Sequence, residues 1–207
     1  VRRREELEEE RLLLKQQLVA TEMERRQKFS LYEELKGTIR VYCRVKGGND
    51  GRASNGARYS FKTNDEGVEN GLTITQTRNN ATSTGVRETT QRFAYDRVYH
   101  QAQDQSGIFE DVGPLVDTAV DGYRVCVFAF GQTGSGKTYT MEGDINDEAT
   151  KGITPRAIEK VFDRAAQLKD EGWEYNVSCY FVEIYNDTIR DLLETSESYH
   201  RSFVEGR

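Results

Sequence analysis

No run of apolar residues in this 207-residue chain approaches the ~20 needed to cross a bilayer. The N-terminus, Val1-Arg2-Arg3-Arg4-Glu5-Glu6, has no apolar core of the kind that marks a secretory signal. Cysteine is scarce: Cys43, Cys126 and Cys179 are odd in number and form no C-x-x-C pair. Two of them sit in apolar runs, so buried, reduced thiols are expected in place of a disulfide or a metal set. An excess of positive charge is absent too. The net charge is −6, and that sign argues against nucleic acid as a partner. Neither membrane nor nucleic acid is therefore expected among the partners. The first residue is Val instead of Met, and the expectation is a piece of a longer protein.

Glycine and proline are missing from residues 1–36 altogether. That stretch holds 9 Arg/Lys and 9 Asp/Glu, so half of it is charged with no net charge, and the remaining 171 residues carry the whole −6. Glu, Leu, Arg, Lys and Gln all favour helix. A heptad seam through Leu7, Leu14, Leu18, Tyr32 and Leu35 is only partly apolar, because Thr21, Arg25 and Lys28 fall on it. Such a seam pairs helices weakly. The reading is a helical arm with a loose coiled coil that joins two chains in a monomer–dimer equilibrium. A single solvated helix is the other reading.

Gly37 should close the helix. Residues 38–45 alternate as a strand does. Residues 46–92, rich in Gly, Asn, Thr and Ser, read as a hairpin lobe with one firm strand at 72–77. Residues 93–99 are a further short strand. From Ser106 the period becomes helical, with Ile108, Phe109, Val112, Leu115, Val116, Ala119 and Val120 on one face and Pro114 inside, where a kink or late start is expected. The run 125–130 is continuously apolar, as in a strand buried on both faces. Thr154-Pro155 opens another helix whose inward face would be Ile158, Val161, Phe162 and Ala165. Residues 177–185 form another mainly apolar strand. Strand and helix alternate as in an α/β sheet.

Directly after the apolar run comes Gly131-Gln132-Thr133-Gly134-Ser135-Gly136-Lys137-Thr138, a full G-x-x-x-x-G-K-[ST]. Glycines let the backbone fold round phosphates with its N–H groups inward, and a following helix turns its positive end to the same anion. Lys137 would reach the β and γ phosphates, and the Thr138 hydroxyl would take a place on Mg²⁺. The expected cofactors are ATP and Mg²⁺.

The wider segment resembles the motor domain of kinesins. The motifs are Ile39-Arg40-Val41-Tyr42-Cys43-Arg44-Val45, Phe93-Ala94-Tyr95-Asp96-Arg97-Val98-Tyr99, the stretch from Ala119 through the P-loop to Gly143, Gly152-Ile153-Thr154-Pro155-Arg156-Ala157 and Val182-Glu183-Ile184-Tyr185-Asn186-Asp187. A helix ending Glu34-Leu35-Lys36-Gly37 just before the first strand resembles the neck of the kinesin-14 branch. The resemblance implies an α/β P-loop NTPase motor core, with a partial central sheet flanked by helices, after a long neck helix: 1–36 the neck, 37–207 the N-terminal part of the motor. It implies a microtubule motor that hydrolyses ATP and moves toward minus ends, in the cytoplasm on the microtubule cytoskeleton, spindle included. Arg44 and Lys46 fall where the family holds adenine, Gly47 stands where it has a proline, and Tyr139 could stack on the base. N-x-x-S-S-R-S-H and D-L-A-G-S-E, the family's two switches, are not found in these residues. Nucleotide binding without efficient turnover is therefore expected of them, with microtubules engaged through the half that is not here. The alternatives are another P-loop NTPase, which should show a Walker B run ending in Asp, and an inert coiled-coil scaffold.

Overall fold

The computed structural model describes residues 2–35, 37, 39–47, 57–79, 86–170 and 172–193. Helix α1, Arg2–Leu35, runs through the charged arm without a break. Gly37, at φ 101°, ends it, and its N–H returns to the Glu34 carbonyl at 3.0 Å. The expected first strand shortens to β1, Tyr42–Arg44, which pairs in parallel with β5, Arg97–Tyr99. Val41 and Asp96 extend this pair: the Val41 N–H donates to the Asp96 carboxylate at 2.7 Å, and the Asp96 N–H to the Val41 carbonyl at 3.1 Å. The hairpin lobe is an antiparallel sheet of β2, Arg58–Thr63, β3, Glu69–Asn79, and β4, Val86–Ala94, in that order. The residues expected at 93–99 therefore divide between β4 and β5.

Helix α2, Gln105–Val120, starts where Asp104 caps it, accepting from the Gly107 N–H at 2.8 Å. The expected late start does not occur. Pro114 lies inside the helix, and the Thr118 hydroxyl donates to its carbonyl at 2.9 Å. Ile108 and Val112 join Tyr99 and Ile153 in one core cluster; Val45, Leu72 and Val98 form a second beneath the hairpin lobe. Helix α3, Lys137–Met141, is a single short turn, and α4, Ile153–Asp170, packs on α2. Thr154 lies within α4, not ahead of it, with Pro155 in the first turn, where its missing N–H costs nothing.

Three expectations about the interior fail. Residues 125–130 lie in no strand ladder, and among the described residues no strand pairs with them. Of 177–185 only β6, Val182–Tyr185, is laddered, in a hairpin with β7, Thr188–Asp191, across Asn186 and Asp187 at φ 48° and 58°. Of the expected inward face of α4, Ile158 and Phe162 face solvent and Val161 and Ala165 are only half-buried, while Leu168 is buried. The physical reason is common to all three: an apolar strand or helix face is covered only when another element lies against it. Cys126 and Cys179 lie in these bare stretches and are exposed instead of buried, whereas Cys43 is half-buried.

Helix α1 meets the body through charge. Arg25 and Arg26 both reach Asp121, at 3.1 and 3.2 Å, and the Asp121 side chain is 1% exposed. Glu22 accepts from Arg25 at 2.7 Å and from Arg164 of α4 at 3.3 Å. Arg26 also lies 4.3 Å from the centre of the Trp173 ring and donates to the Tyr175 hydroxyl. Farther along, Glu33 pairs with Arg40 at 2.8 Å. The bonded stripe Glu22, Arg26, Glu33 sits beside the heptad seam, so Leu7, Leu14, Leu18, Tyr32 and Leu35 stay exposed.

Candidate nucleotide site

Residues 131–138 form a loop closed largely by its own bonds. The Ser135 N–H donates to the Gln132 carbonyl at 3.1 Å. Lys137 Nζ donates to the carbonyls of Gly131 at 2.8 Å and Gln132 at 3.0 Å. The ammonium thus closes the loop on its own carbonyls, where only its reach to the β and γ phosphates was expected. Gly134 and Gly136, at φ 78° and 103°, hold a left-handed backbone that side chains resist. A Cβ on Gly131 would stand 2.5 Å from Ser135 Oγ, so only glycine lets the loop turn so tightly. The sequence places Thr138 and Tyr139 next in α3, and both are exposed. At five residues α3 sums few peptide dipoles, so loop amides and Lys137 carry most of the field at its mouth.

The structure brings the other expected residues to this loop. Lys46 Nζ donates to the Gly134 carbonyl at 2.7 Å. Arg44, projecting from β1, donates to the Thr140 hydroxyl at 2.9 Å and lies 5.1 Å from the centre of the Tyr139 ring. Burial lowers the Arg44 pKa from its ordinary value, while the Tyr139 side chain raises it. Gln132 and Thr133 line the exposed rim.

Sequence reasoning missed the residue that joins these parts. Gln105 accepts from Arg44 at 2.8 Å and donates to the carbonyls of Tyr139 at 2.6 Å and Thr150 at 3.1 Å. A signal was present: Gln105, Ile108, Val112 and Val116 fall at i, i+3, i+7 and i+11, so one polar side chain opens an apolar face. The loop from Glu142 to Gly152 then folds α3 back toward α4. The Gly152 N–H returns to the Glu142 carbonyl at 2.9 Å, and a Cβ on Gly152 would strike the Met141 carbonyl at 2.5 Å.

The family model described as microtubule binding matches residues 18–193, most of the chain. The chain belongs to the kinesin motor family. It is 44% identical over 177 residues to carboxy-terminal kinesin 2 of Xenopus laevis, covering 82% of this chain and 26% of that protein. It is 41% identical over 186 residues to kinesin-like protein KIFC1 of Mus musculus, covering 86% and 28%. Among solved structures, the C-terminal motor and motor homology domain of Kar3Vik1 superposes with a TM-score of 0.71 at 34% identity, over 88% of this chain and 46% of that one. These relatives are kinesin-14 motors, and α1 fits their neck helix. The chain thus spans about a quarter of the curated relatives and just under half of the solved motor.

Proposed function

We propose that this chain is the ATP-binding portion of a minus-end-directed microtubule motor, with residues 1–36 as the neck and 37–207 as the N-terminal part of the motor domain. ATP lies with its phosphates in the loop from Gly131 to Thr138. Loop amides and Lys137 face the β and γ phosphates, with the lysine exchanging its loop carbonyls for phosphate oxygens. Mg²⁺ sits on Thr138, Arg44 and Tyr139 face the adenine end, and Lys46 lies between that end and the loop, on the Gly134 carbonyl. The observation that carries the reading is the convergence of Arg44, from β1, and Lys46, just after it, some ninety residues upstream, on the P-loop and the first turn after it. A glycine-rich surface turn would have no reason to collect two cations and an aromatic ring. The donor set also fits a polyphosphate: the glycines leave the backbone open, and a charge-assisted lysine suits phosphate oxygen.

The whole protein would hydrolyse ATP on microtubules, and the exposed seam of α1 would join two copies weakly. Its place would be the microtubule cytoskeleton. No helix among the described residues is long and apolar enough to cross a membrane. The deciding experiment is calorimetric titration of the 207-residue chain with Mg·ATP. Saturable binding to one site is the expected result. No heat and no saturation would return the chain to the scaffold reading.

A further inference from the structure

Gln105 is 2% exposed, and its oxygen and both its N–H groups are bonded. One acceptor faces a guanidinium and two donors face two carbonyls, which is the arrangement a primary amide allows. Through it β1, α3 and the loop before α4 meet on one side chain. Its reach stops at the base end of the proposed site. The bonds that close the phosphate loop run between Lys137, Ser135, Lys46 and loop carbonyls, with Gln105 in none of them.

We infer that Gln105 is a positioning residue for the purine end of the nucleotide: it fixes the Arg44 guanidinium against the Tyr139 ring and fixes both relative to the P-loop. The inference rests on the ATP reading above. A guanidinium is a planar fork, and the partner it bonds sets the direction of its plane. Arg44 donates from one nitrogen, Nη1, to both Gln105 and Thr140, so removing the amide leaves that end of the guanidinium to turn about the Thr140 bond. The Tyr139 carbonyl loses its anchor at the same time, and the ring moves with its backbone. A nucleoside triphosphate should feel both changes. A bare polyphosphate, which needs only the loop, should feel neither.

The test compares Mg·ATP with Mg·tripolyphosphate on the 207-residue chain and on Gln105→Leu, which keeps volume and removes the amide. The Kd for Mg·ATP is expected to rise roughly tenfold, the scale of one hydrogen bond to a charged group. That for Mg·tripolyphosphate should stay within about twofold. In an Arg44→Ala background, Gln105→Leu should cost clearly less than in the parent, since the part of its effect that runs through the guanidinium is already gone. Gln105→Glu keeps the acceptor for Arg44 but removes the donors to the Tyr139 and Thr150 carbonyls, so it should raise the Kd for Mg·ATP and leave that for Mg·tripolyphosphate within about twofold of the parent. Should the Leu variant not fold, Gln105→Asn, one methylene shorter, takes its place with the same expected split. Equal losses for both ligands, no loss for either, or full additivity with Arg44→Ala would each overturn the inference while leaving the ATP site in place. A parent chain that binds neither ligand removes the site and the inference together.

Discussion

Gly131 divides two segments of opposite character. On its C-terminal side the chain is held at almost every residue: Lys137 and Ser135 bond back within six residues, and Arg44, Lys46 and Gln105 add ties from elsewhere. On its N-terminal side five of the six residues 125–130 stand open, with Phe128 86% and Phe130 101% exposed, and only Ala129 is half-buried. The difference lies in the range of the bonds. A P-loop satisfies much of its own backbone, so its shape survives whatever surrounds it. A strand satisfies none of its own, and its order waits for neighbours. The middle of α1 supplies the reverse case. It is fully charged in character, yet Glu22, Arg25 and Arg26 are pinned to the body.

The largest test of this contrast acts on the loop. Lys137→Ala is expected to weaken Mg·ATP binding at least ~100-fold, because a charge-assisted bond to phosphate is lost along with the cation that closes the loop. The circular dichroism should be unchanged. Binding as tight as the parent's would undo the assignment of the loop. Hydrogen exchange measures the other side of Gly131. Amides of 125–130 are expected to exchange ~100-fold or more faster than those of 108–116 in α2, since local protection follows local bonding. Equal protection in a soluble monomer would show that strands do cover the run.

Asp121→Asn addresses the clasp. Removing the carboxylate that two arginines share should weaken docking of α1 by about 1–3 kcal/mol. Trp173 is the only tryptophan and lies under Arg26, so its emission reports docking directly. The variant should show at low salt the emission that the parent reaches only at high salt, where ion pairs are screened. An unchanged spectrum across salt would mean that the charges do not hold the helix.

The smallest effect is a titration. Bonding to Arg25 above all holds the Glu22 carboxyl down at about 2, against burial, which pushes it up. Undocked, it should titrate near ~4.3. A lowered pKa in the docked form means that its stabilisation is complete above that value. The stabilisation is lost as pH falls from about 4.5 toward 2. Trp173 emission should follow that fall in the parent, and Glu22→Gln should remove the Glu22-dependent part of the transition. A transition of the same size and midpoint in Glu22→Gln would place its origin elsewhere.

The sequence by itself determined what local chemistry suffices to build. Helix α1 follows from 34 residues, mostly strong helix formers, without Gly or Pro, and Gly37 ends it. The glycines that give the 131–138 loop its tight turn were legible, because they act within eight consecutive residues, whereas the bonds from Lys137 to its own loop carbonyls were not. Tertiary structure alone decided the rest. It bonded Gln105 to Arg44 and Tyr139, partners 61 and 34 residues away. It put Arg25, read as a flaw in a heptad seam, against an aspartate 96 residues on. It left 125–130 and the Ile158–Phe162 side of α4 bare, although their composition reads as core. Apolarity records that a segment gains by being covered. Whether anything lies over it depends on other elements arriving in space, and no property of the segment itself contains that information.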